Sequence, residues 1–349
     1  MSGGTRAKPR GRIELPTLVA IHEAADLLRA GDIVGMPTET VYGLAADALD
    51  ADAVRRIFAA KGRPADHPLI VHLPGVQHLA RWATDIPGDA LALARAFWPG
   101  PLTLILKRDP AVPDEVTGGQ DTVGLRVPSH PVALALLQVF DSGIAAPSAN
   151  RFGRISPTTA AHVQEELGDK VAMVLDGGPC EVGIESTIID FSRDVPEILR
   201  PGAIAPDDIA RIIGRRPRLR GEAAIELAAA PAAETPAPRV SGALAAHYAP
   251  RTPLRLVEGE RLAEEAALLA GEGSRVAVLA HRAPDPHDSR LIWQPAPADA
   301  TAYARELYAS LRALDALDAD FILIETPPAD PRWRAITDRL GRAATGSGG

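Results

Sequence analysis

At 349 residues the chain is long enough for about two domains. With 46% hydrophobic and 23% charged residues it has the bulk composition of a soluble globular protein, and its core must be mostly aliphatic because aromatics are only 4%. A net charge of −8 argues against a protein that coats nucleic acid, which needs clustered cations, although a small basic cleft remains compatible. No apolar run approaches the roughly 20 residues of a membrane helix. The single cysteine, Cys180, excludes an internal disulfide and any multi-cysteine zinc site, and points to the cytoplasm.

Residues 1–14 are basic and Gly-rich with no apolar stretch behind them, and read as a disordered tail rather than a signal peptide. "LVAIHEAADLLRA" places Leu18, Ile21, Ala25 and Leu28 on one helical face. "DIVGMP" is a short strand ended by Pro37, and "DADAVRRIFAAKG" is a helix with Asp50 or Asp52 near its start and Gly62 at its end. "PLIVHL", "PLTLILK" and "TVGLRVP" are strands. A helix follows in "HPVALALLQVF", and "GIAAPSAN" is strand then loop. "SPTTAAHVQEEL" opens a helix with Ser156 or Thr158 as cap, and "VAMVLDGG" and "ESTIIDF" complete a sheet. Irregular alternation over residues 15–213 predicts one α/β domain with a twisted, mixed sheet. Residues 214–250, rich in Pro and Ala, read as a linker. Residues 251–345 alternate strand and helix again and predict a smaller, doubly wound α/β domain.

Familiar catalytic motifs are missing. The sequence has no GxxxxGK[ST], no HExxH and no GxSxG. What stands out is a set of unusual loops near strand ends. "PTETVYG" holds Thr38, Glu39, Thr40 and Tyr42; "KGRPADHPLIVH" holds Lys61, Arg63, His67 and His72. Thr122 and Arg126 flank "VGL". "PSANRFGRISPT" holds Ser148, Asn150 and Ser156, "GIEST" holds Glu185, Ser186 and Thr187, and "LRPGAI" holds Arg200. Cations beside hydroxyls and backbone amides suit phosphate and carboxylate oxygens. Paired acids, a nucleophilic Cys and a Ser-His-Asp arrangement are lacking. The set predicts a site that clamps and orients anions.

These segments, with "FWPGPLTLIL" and a later "HYAP", resemble the YrdC-like domain of threonylcarbamoyl-AMP synthases over about residues 15–205, and the likeness continues into the C-terminal domain of the family's long form. The resemblance implies synthesis of L-threonylcarbamoyladenylate from L-threonine, bicarbonate and ATP, with release of pyrophosphate, for modification of the tRNA adenosine next to the anticodon. It implies that Thr40, His72, Arg126, Ser186 and the backbone of Ala146 meet threonine. It places the nucleotide among Arg63, His67, Thr122, Ser148, Asn150, Ser156 and Arg200, with Lys61 on phosphate oxygens and Tyr248 of "HYAP" closing over it. Lys61, Arg63 and Arg126 are the expected catalytic cations, and Glu39 is expected to orient its loop. With few acids in the motifs, Mg²⁺ is expected to arrive with ATP and to be held by phosphates and water. No protein metal site, no stable nucleic-acid binding and no membrane contact are expected; the product would pass to a tRNA threonylcarbamoyl-transfer complex. Two departures from the family pattern stand out. His67 takes a position where Asn is usual, and Ser241-Gly242-Ala243 takes one where many members have Pro-Gly-Met.

Two other readings stay open on the residues. One is a carbamoyltransferase of the hydrogenase-maturation type, against which the single cysteine counts, since those proteins carry Cys-rich zinc modules. The other is an RNA-binding or ribosome-associated module, against which the net charge and scarce aromatics count.

Overall fold

The computed structural model describes residues 9–221 and 236–349. Part of the predicted tail (1–8) and part of the predicted linker (222–235) lie outside the described residues. The first sheet has eleven strands: β1 (Arg12–Glu14), β2 (Val34–Met36), β3 (Gly43–Asp47), β4 (Ile70–His72), β5 (Leu102–Lys107), β6 (Thr122–Arg126), β7 (Ile144–Ala145), β8 (Met173–Leu175), β9 (Thr187–Asp190), β10 (Glu197–Arg200) and β11 (Arg218–Leu219). They are hydrogen-bonded in the order β1-β8-β2-β3-β7-β4-β6-β5-β9-β10-β11, with parallel and antiparallel neighbours mixed, as predicted.

Alternating side chains feed two layers. Leu44 and Ala46 of β3 enter one core with the helices Ala51–Lys61, Gly88–Phe97 and Ala160–Leu167, whereas Ala45 enters the other with the helices Leu18–Arg29 and Pro131–Phe140. Toward β5 and β9 this second face has no helix in its apolar cluster. There Ile70, Ile105, Ile188 and Leu199 gather under Val240, with Ala237 and Ala243 beside them. A stretch of the predicted linker thus serves as the roof of half a sheet.

The C-terminal unit is a four-stranded parallel sheet, β12 (Leu254–Val257), β13 (Val276–Ala280), β14 (Leu291–Pro295) and β15 (Phe321–Glu325), in the order β12-β15-β13-β14. Helix Gly259–Gly271 covers one face; helices Ala300–Asp315 and Arg334–Ser347 cover the other.

Several expectations are corrected. Residues 12–14 are not tail but β1, paired in parallel with β8. "GLAAD", to which the sequence pattern gives no element, forms β3, antiparallel to β2, so the loop carrying Thr38 to Tyr42 joins two sheet neighbours. The first helix buries Ala20, Ile21, Ala24, Ala25 and Leu28, while Leu18, in its first turn, overhangs the packed stripe and is exposed. The helix after residue 159 is capped by Thr159, because the Ser156 hydroxyl is committed elsewhere. Residues 218–219, inside the predicted linker, form β11, and β14 was not foreseen.

The two domains meet closely at Gly183, whose φ is +78°; a Cβ there would stand 2.4 Å from the Arg305 Cα and carbonyl oxygen. A side chain would therefore strain the backbone and push the domains apart. Gly183→Ala is expected to destabilise by more than about 1 kcal/mol in urea titration. Gly88→Ala, at an open first helical position, should be neutral or slightly stabilising. Equal midpoints for the two variants would show that the contact at Gly183 carries no weight.

Candidate active site

The floor of the site follows from strand alternation. Ile70 and His72 of β4 stand in register with Gly124 and Arg126 of β6, on the face opposite Val71 and Leu125. Thr103 and Ile105 of β5 and Ile188 of β9 extend that face. Arg200 reaches it by a β-bulge between Ile198 and Arg200. An unbulged strand would return Arg200 to the side of Ile198, which is in the core.

The loop between β2 and β3 forms one wall. The Thr38 hydroxyl accepts from the Thr40 and Val41 N–H groups, both at 3.2 Å, and donates to the Val41 carbonyl at 2.6 Å. This local turn fixes Thr40. The Thr40 hydroxyl then accepts from Arg126 Nη1 at 2.9 Å and lies 2.8 Å from Thr38 Oγ1. Arg126 Nε donates to the Gly100 carbonyl at 3.2 Å, and Nη2 lies 2.6 Å from Glu39 Oε1. That buried ion pair is close but lacks hydrogen-bond geometry: both Glu39 oxygens and Arg126 Nη2 have no hydrogen-bond partner. Its attraction is coulombic, and it keeps the Arg126 charge compensated below the cavity.

Ser186 and Arg200 form the opposite wall. Ser186 Oγ is 2.7 Å from Thr103 Oγ1. Arg200 donates through Nε and Nη2 to the Ser186 carbonyl at 3.1 and 2.9 Å, and through Nη1 to the Ser241 carbonyl at 2.9 Å. Lys61 ends its helix because Gly62 takes the left-handed conformation, with φ 64°. The Lys61 ammonium is buried and donates to the carbonyls of Ser148 and Asn150. Burial, and then the neighbouring Arg63, push its pKa well below the usual lysine range. Arg63 donates to the Pro68 carbonyl at 2.9 Å and to Ser241 Oγ at 3.4 Å; burial lowers its pKa to about 10.

Residues 236–250 close the top. Gly242 has φ 74°, and a Cβ there would meet the Tyr248 hydroxyl at 2.2 Å, so this turn accepts only glycine. Tyr248 is itself left-handed, with φ 62°, and buried. Its N–H donates to His247 Nδ1 at 3.0 Å, and its ring stacks on Tyr308 at 5.6 Å.

Eight predicted residues line one cavity: Thr40, His72, Arg126, Ala146, Ser148, Ser186, Arg200 and Tyr248. Lys61 and Arg63 reach its walls through Ser148 and Ser241. His67 packs edge-on to Phe152 at 5.4 Å, and Thr122 lines a smaller neighbouring cavity that also touches Ser241. Asn150 and Ser156 are not among the lining residues. Asn150 donates to the carbonyls of Arg151 and Arg154, and Ser156 donates to Glu185 at 2.6 Å. Sequence reasoning picked out Glu185 without a role and missed Tyr308 and Arg339. The Tyr308 hydroxyl and Arg339 Nε bind Glu185 Oε2 at 2.9 and 2.8 Å. A Tyr and an Arg on amphipathic helices carry no signal of such a contact.

The cavity left under the roof is about 30 Å³, room for a water or two. Residues Ser241, Gly242, His247 and Tyr248 line this cavity from the roof side. The site combines fixed guanidinium and ammonium groups, paired hydroxyls and a neutral imidazole; it can hold anions and orient an oxygen nucleophile.

Comparison with known proteins agrees with this chemistry. A family profile described as "Telomere recombination" (Sua5/YciO/YrdC) matches residues 26–202, and one described as "Threonylcarbamoyl-AMP synthase, C-terminal domain" matches residues 204–345. Threonylcarbamoyl-AMP synthase of Pyrococcus abyssi is 40% identical over 333 residues, covering 93% of this chain and 94% of the relative. The chain belongs to the threonylcarbamoyl-AMP synthase family. The Bacillus subtilis threonylcarbamoyl-AMP synthase is also 40% identical, with 93% of each chain covered. The crystal structure of P. abyssi Sua5 complexed with L-threonine superposes with a TM-score of 0.86 and 37% identity, over 96% of this chain and 97% of that one. The match spans both domains.

Two buried histidines make the fold of this synthase relative sensitive to pH. Burial lowers His72 to about 3, helped by Arg126, and lowers His247 to about 3. An unfolded histidine takes its proton near pH 6.5, which these two refuse when folded. The unfolded state therefore binds more protons in between, and stability that is complete above about pH 6.5 is lost as pH falls toward 3. The urea midpoint should fall from pH 7 to pH 5, and His247→Gln should flatten that slope. An unchanged slope would place the dependence on other groups.

Proposed function

We propose that the protein is a nucleotidyltransferase that makes L-threonylcarbamoyladenylate from L-threonine, bicarbonate and ATP and releases pyrophosphate. Its product would serve threonylcarbamoylation of the tRNA adenosine next to the anticodon. The observation that carries this reading is the end-to-end match to threonylcarbamoyl-AMP synthases, one relative of which was crystallised with L-threonine. No observation favours the carbamoyltransferase or the RNA-binding reading.

The reaction joins anions. The threonine amine and bicarbonate give a carbamate and water. A carbamate oxygen then attacks the α-phosphorus of ATP, and the bond to the pyrophosphate oxygen breaks. The protein's task is to cancel repulsion and to hold an in-line approach. In this reading threonine occupies the floor between the two walls, with Arg126 facing its carboxylate and Thr40, Ser186 and the Ala146 backbone fixing its orientation. His72, uncharged at neutral pH, supplies a neutral contact. The nucleotide runs along Ser148 and Arg200 toward Arg63, His67 and Thr122, with Tyr248 above. Lys61 exchanges its two carbonyl partners for phosphate oxygens, while Asn150 and Ser156 act at one remove by holding their loops. Among the described residues no group of three or more His, Cys, Asp or Glu could hold a metal ion. In this reading Mg²⁺ enters with ATP as its counter-ion, coordinated by phosphates and water. No helix among the described residues is long and apolar enough to cross a membrane. In this reading the reaction runs in the cytoplasm, and the labile product would pass to a tRNA threonylcarbamoyl-transfer complex.

Pyrophosphate release with ATP, bicarbonate and candidate amino acids tests the reading. Threonine should be strongly preferred to valine, because a site built for a hydroxyl leaves polar groups unpaired when the ligand lacks one. Equal rates with valine would remove threonine as the substrate. Lys61→Ala and Arg200→Ala should each lower turnover by about 10²–10³ while folding is retained; wild-type rates in both would overturn the phosphate assignment. ATP with threonine should also protect residues 238–250 from limited proteolysis. Identical digestion with and without ligands would make that segment a fixed roof rather than a lid.

A further inference from the structure

The loops of the cavity rest on the C-terminal domain. Val41 of the β2–β3 loop, Ile155 beside Ser156 and Ile184 beside Glu185 are buried in one apolar cluster with Leu279, Tyr308 and Leu311 of that domain. Three loops of the catalytic domain thus each lend one side chain to the core of its neighbour. The polar contacts repeat the pattern. Glu185 is buried; its Oε1 accepts from Ser156 at 2.6 Å, and its Oε2 accepts from Tyr308 at 2.9 Å and from Arg339 Nε at 2.8 Å. Two of its three donors come from the C-terminal domain.

The same two side chains hold the roof. The Arg339 guanidinium lies 5.4 Å from the Tyr248 ring centre, and Tyr308 stacks on that ring at 5.6 Å. A circuit closes around the cavity. Arg339 and Tyr308 fix Glu185, which neighbours Ser186; Ser186 takes three bonds from Arg200, two at its carbonyl and one at its hydroxyl; Arg200 binds the Ser241 carbonyl in the roof; and Tyr248 at the far end of the roof returns to Arg339 and Tyr308.

We propose that Arg339 and Tyr308 are positioning residues for the reaction: they set the Glu185–Ser186 loop against the amino-acid pocket and Tyr248 over the nucleotide. The C-terminal domain acts on catalysis through them. This inference rests on the threonylcarbamoyl-AMP synthase reading. Without the two side chains, Glu185 would keep only Ser156, and a buried carboxylate with a single neutral donor turns outward or takes a proton. Ser186 is the next residue, and a misplacement of about 1 Å at a positioning group can cost about 10²-fold in rate.

Tyr308→Phe is the sharpest test, since it keeps the ring under Tyr248 and removes one donor to Glu185. It should raise KM for threonine about tenfold, with a smaller change in KM for ATP, in a protein that still unfolds cooperatively. Arg339→Lys, which keeps the charge and loses the planar fork, should show the same split in weaker form. Arg339→Met strands a buried charge and can fail to fold, so it is paired with the double variant Glu185→Gln/Arg339→Met. That variant should regain stability but not the threonine KM. Wild-type KM values in Tyr308→Phe, or a double variant that regains activity together with stability, would reduce both residues to structural parts and overturn the proposal. Limited digestion of residues 236–250 reads the roof without turnover, with faster cleavage expected in Arg339→Lys and unchanged cleavage counting against the role at Tyr248. A wild type that releases no pyrophosphate would sink the reaction, whereas an active wild type with unaffected variants sinks only the positioning.

Discussion

A carboxylate sealed from water is costly unless its charge is answered, and Glu185 is such a group. Burial opposes its ionisation, yet Arg339, Arg200 and the Ser156 hydroxyl outweigh that and hold its pKa at about 2. It is ionised throughout the physiological range and can stay buried only while its donors are in place. One donor lies in the catalytic domain and two in the C-terminal domain. The loop that carries Ser186 therefore has its observed conformation only when both domains are present and docked. Arg154 with Asp315 at 3.0 Å and Arg312 with Glu166 at 3.1 Å tie the same interface nearer solvent, where each contributes less.

The site also needs a sheet face that no helix claims. On the β2–β3 side, two helices bury the second face in the ordinary way. Toward β5 and β9 the face presents His72, Arg126 and Thr103 among isoleucines, and no helix joins the apolar cluster there. A short irregular segment can cover the isoleucines through Val240 and still offer the Ser241 backbone carbonyl to Arg200. The roof is anchored at its edge by Arg239, which donates to the Gly118 carbonyl at 2.8 Å and exchanges bonds with Gln120. The cover that lines the cavity is also the part that would exclude water from a bound carbamate.

Much of this was legible in the sequence because local chemistry decided it. The helix ending at Lys61 was marked by Asp50 before it and Gly62 after it, and both act as read. The strands around His72 and Arg126 were marked by apolar runs, and their alternation sends both side chains to the site face. β3 was missed because "GLAAD" has neither β-branched residues nor alternating polarity; its partner β2 holds it in the sheet, and partnership is not a local property. The helix cap was misread because Ser156, a good cap by type, is taken by Glu185 from 29 residues away. Arg200 was found by motif, but the bulge that aims it was not, since bulges leave little trace in composition. Tyr308 and Arg339 could not be found, because on a helix face each reads as an ordinary amphipathic residue until the domains are docked.

In a doubly wound sheet a ligand sits beyond the carboxyl ends of the strands. At that edge Glu325, the last residue of β15, turns its Oε2 into the backbone N–H groups of His281, Arg282 and Ala283 at 2.7, 2.8 and 3.0 Å. Its Oε1 lies so close to Gly259, at the start of the helix after β12, that a Cβ there would stand 2.7 Å away. These amides and this helix start are the kind of cradle that such folds offer to a phosphate, and the chain fills it with its own carboxylate. In the same domain Tyr308 and Arg339 meet Glu185, and Val41, Ile155 and Ile184 enter its core. One buried glutamate closes the domain's own cradle, and another draws its helices onto the neighbouring active site.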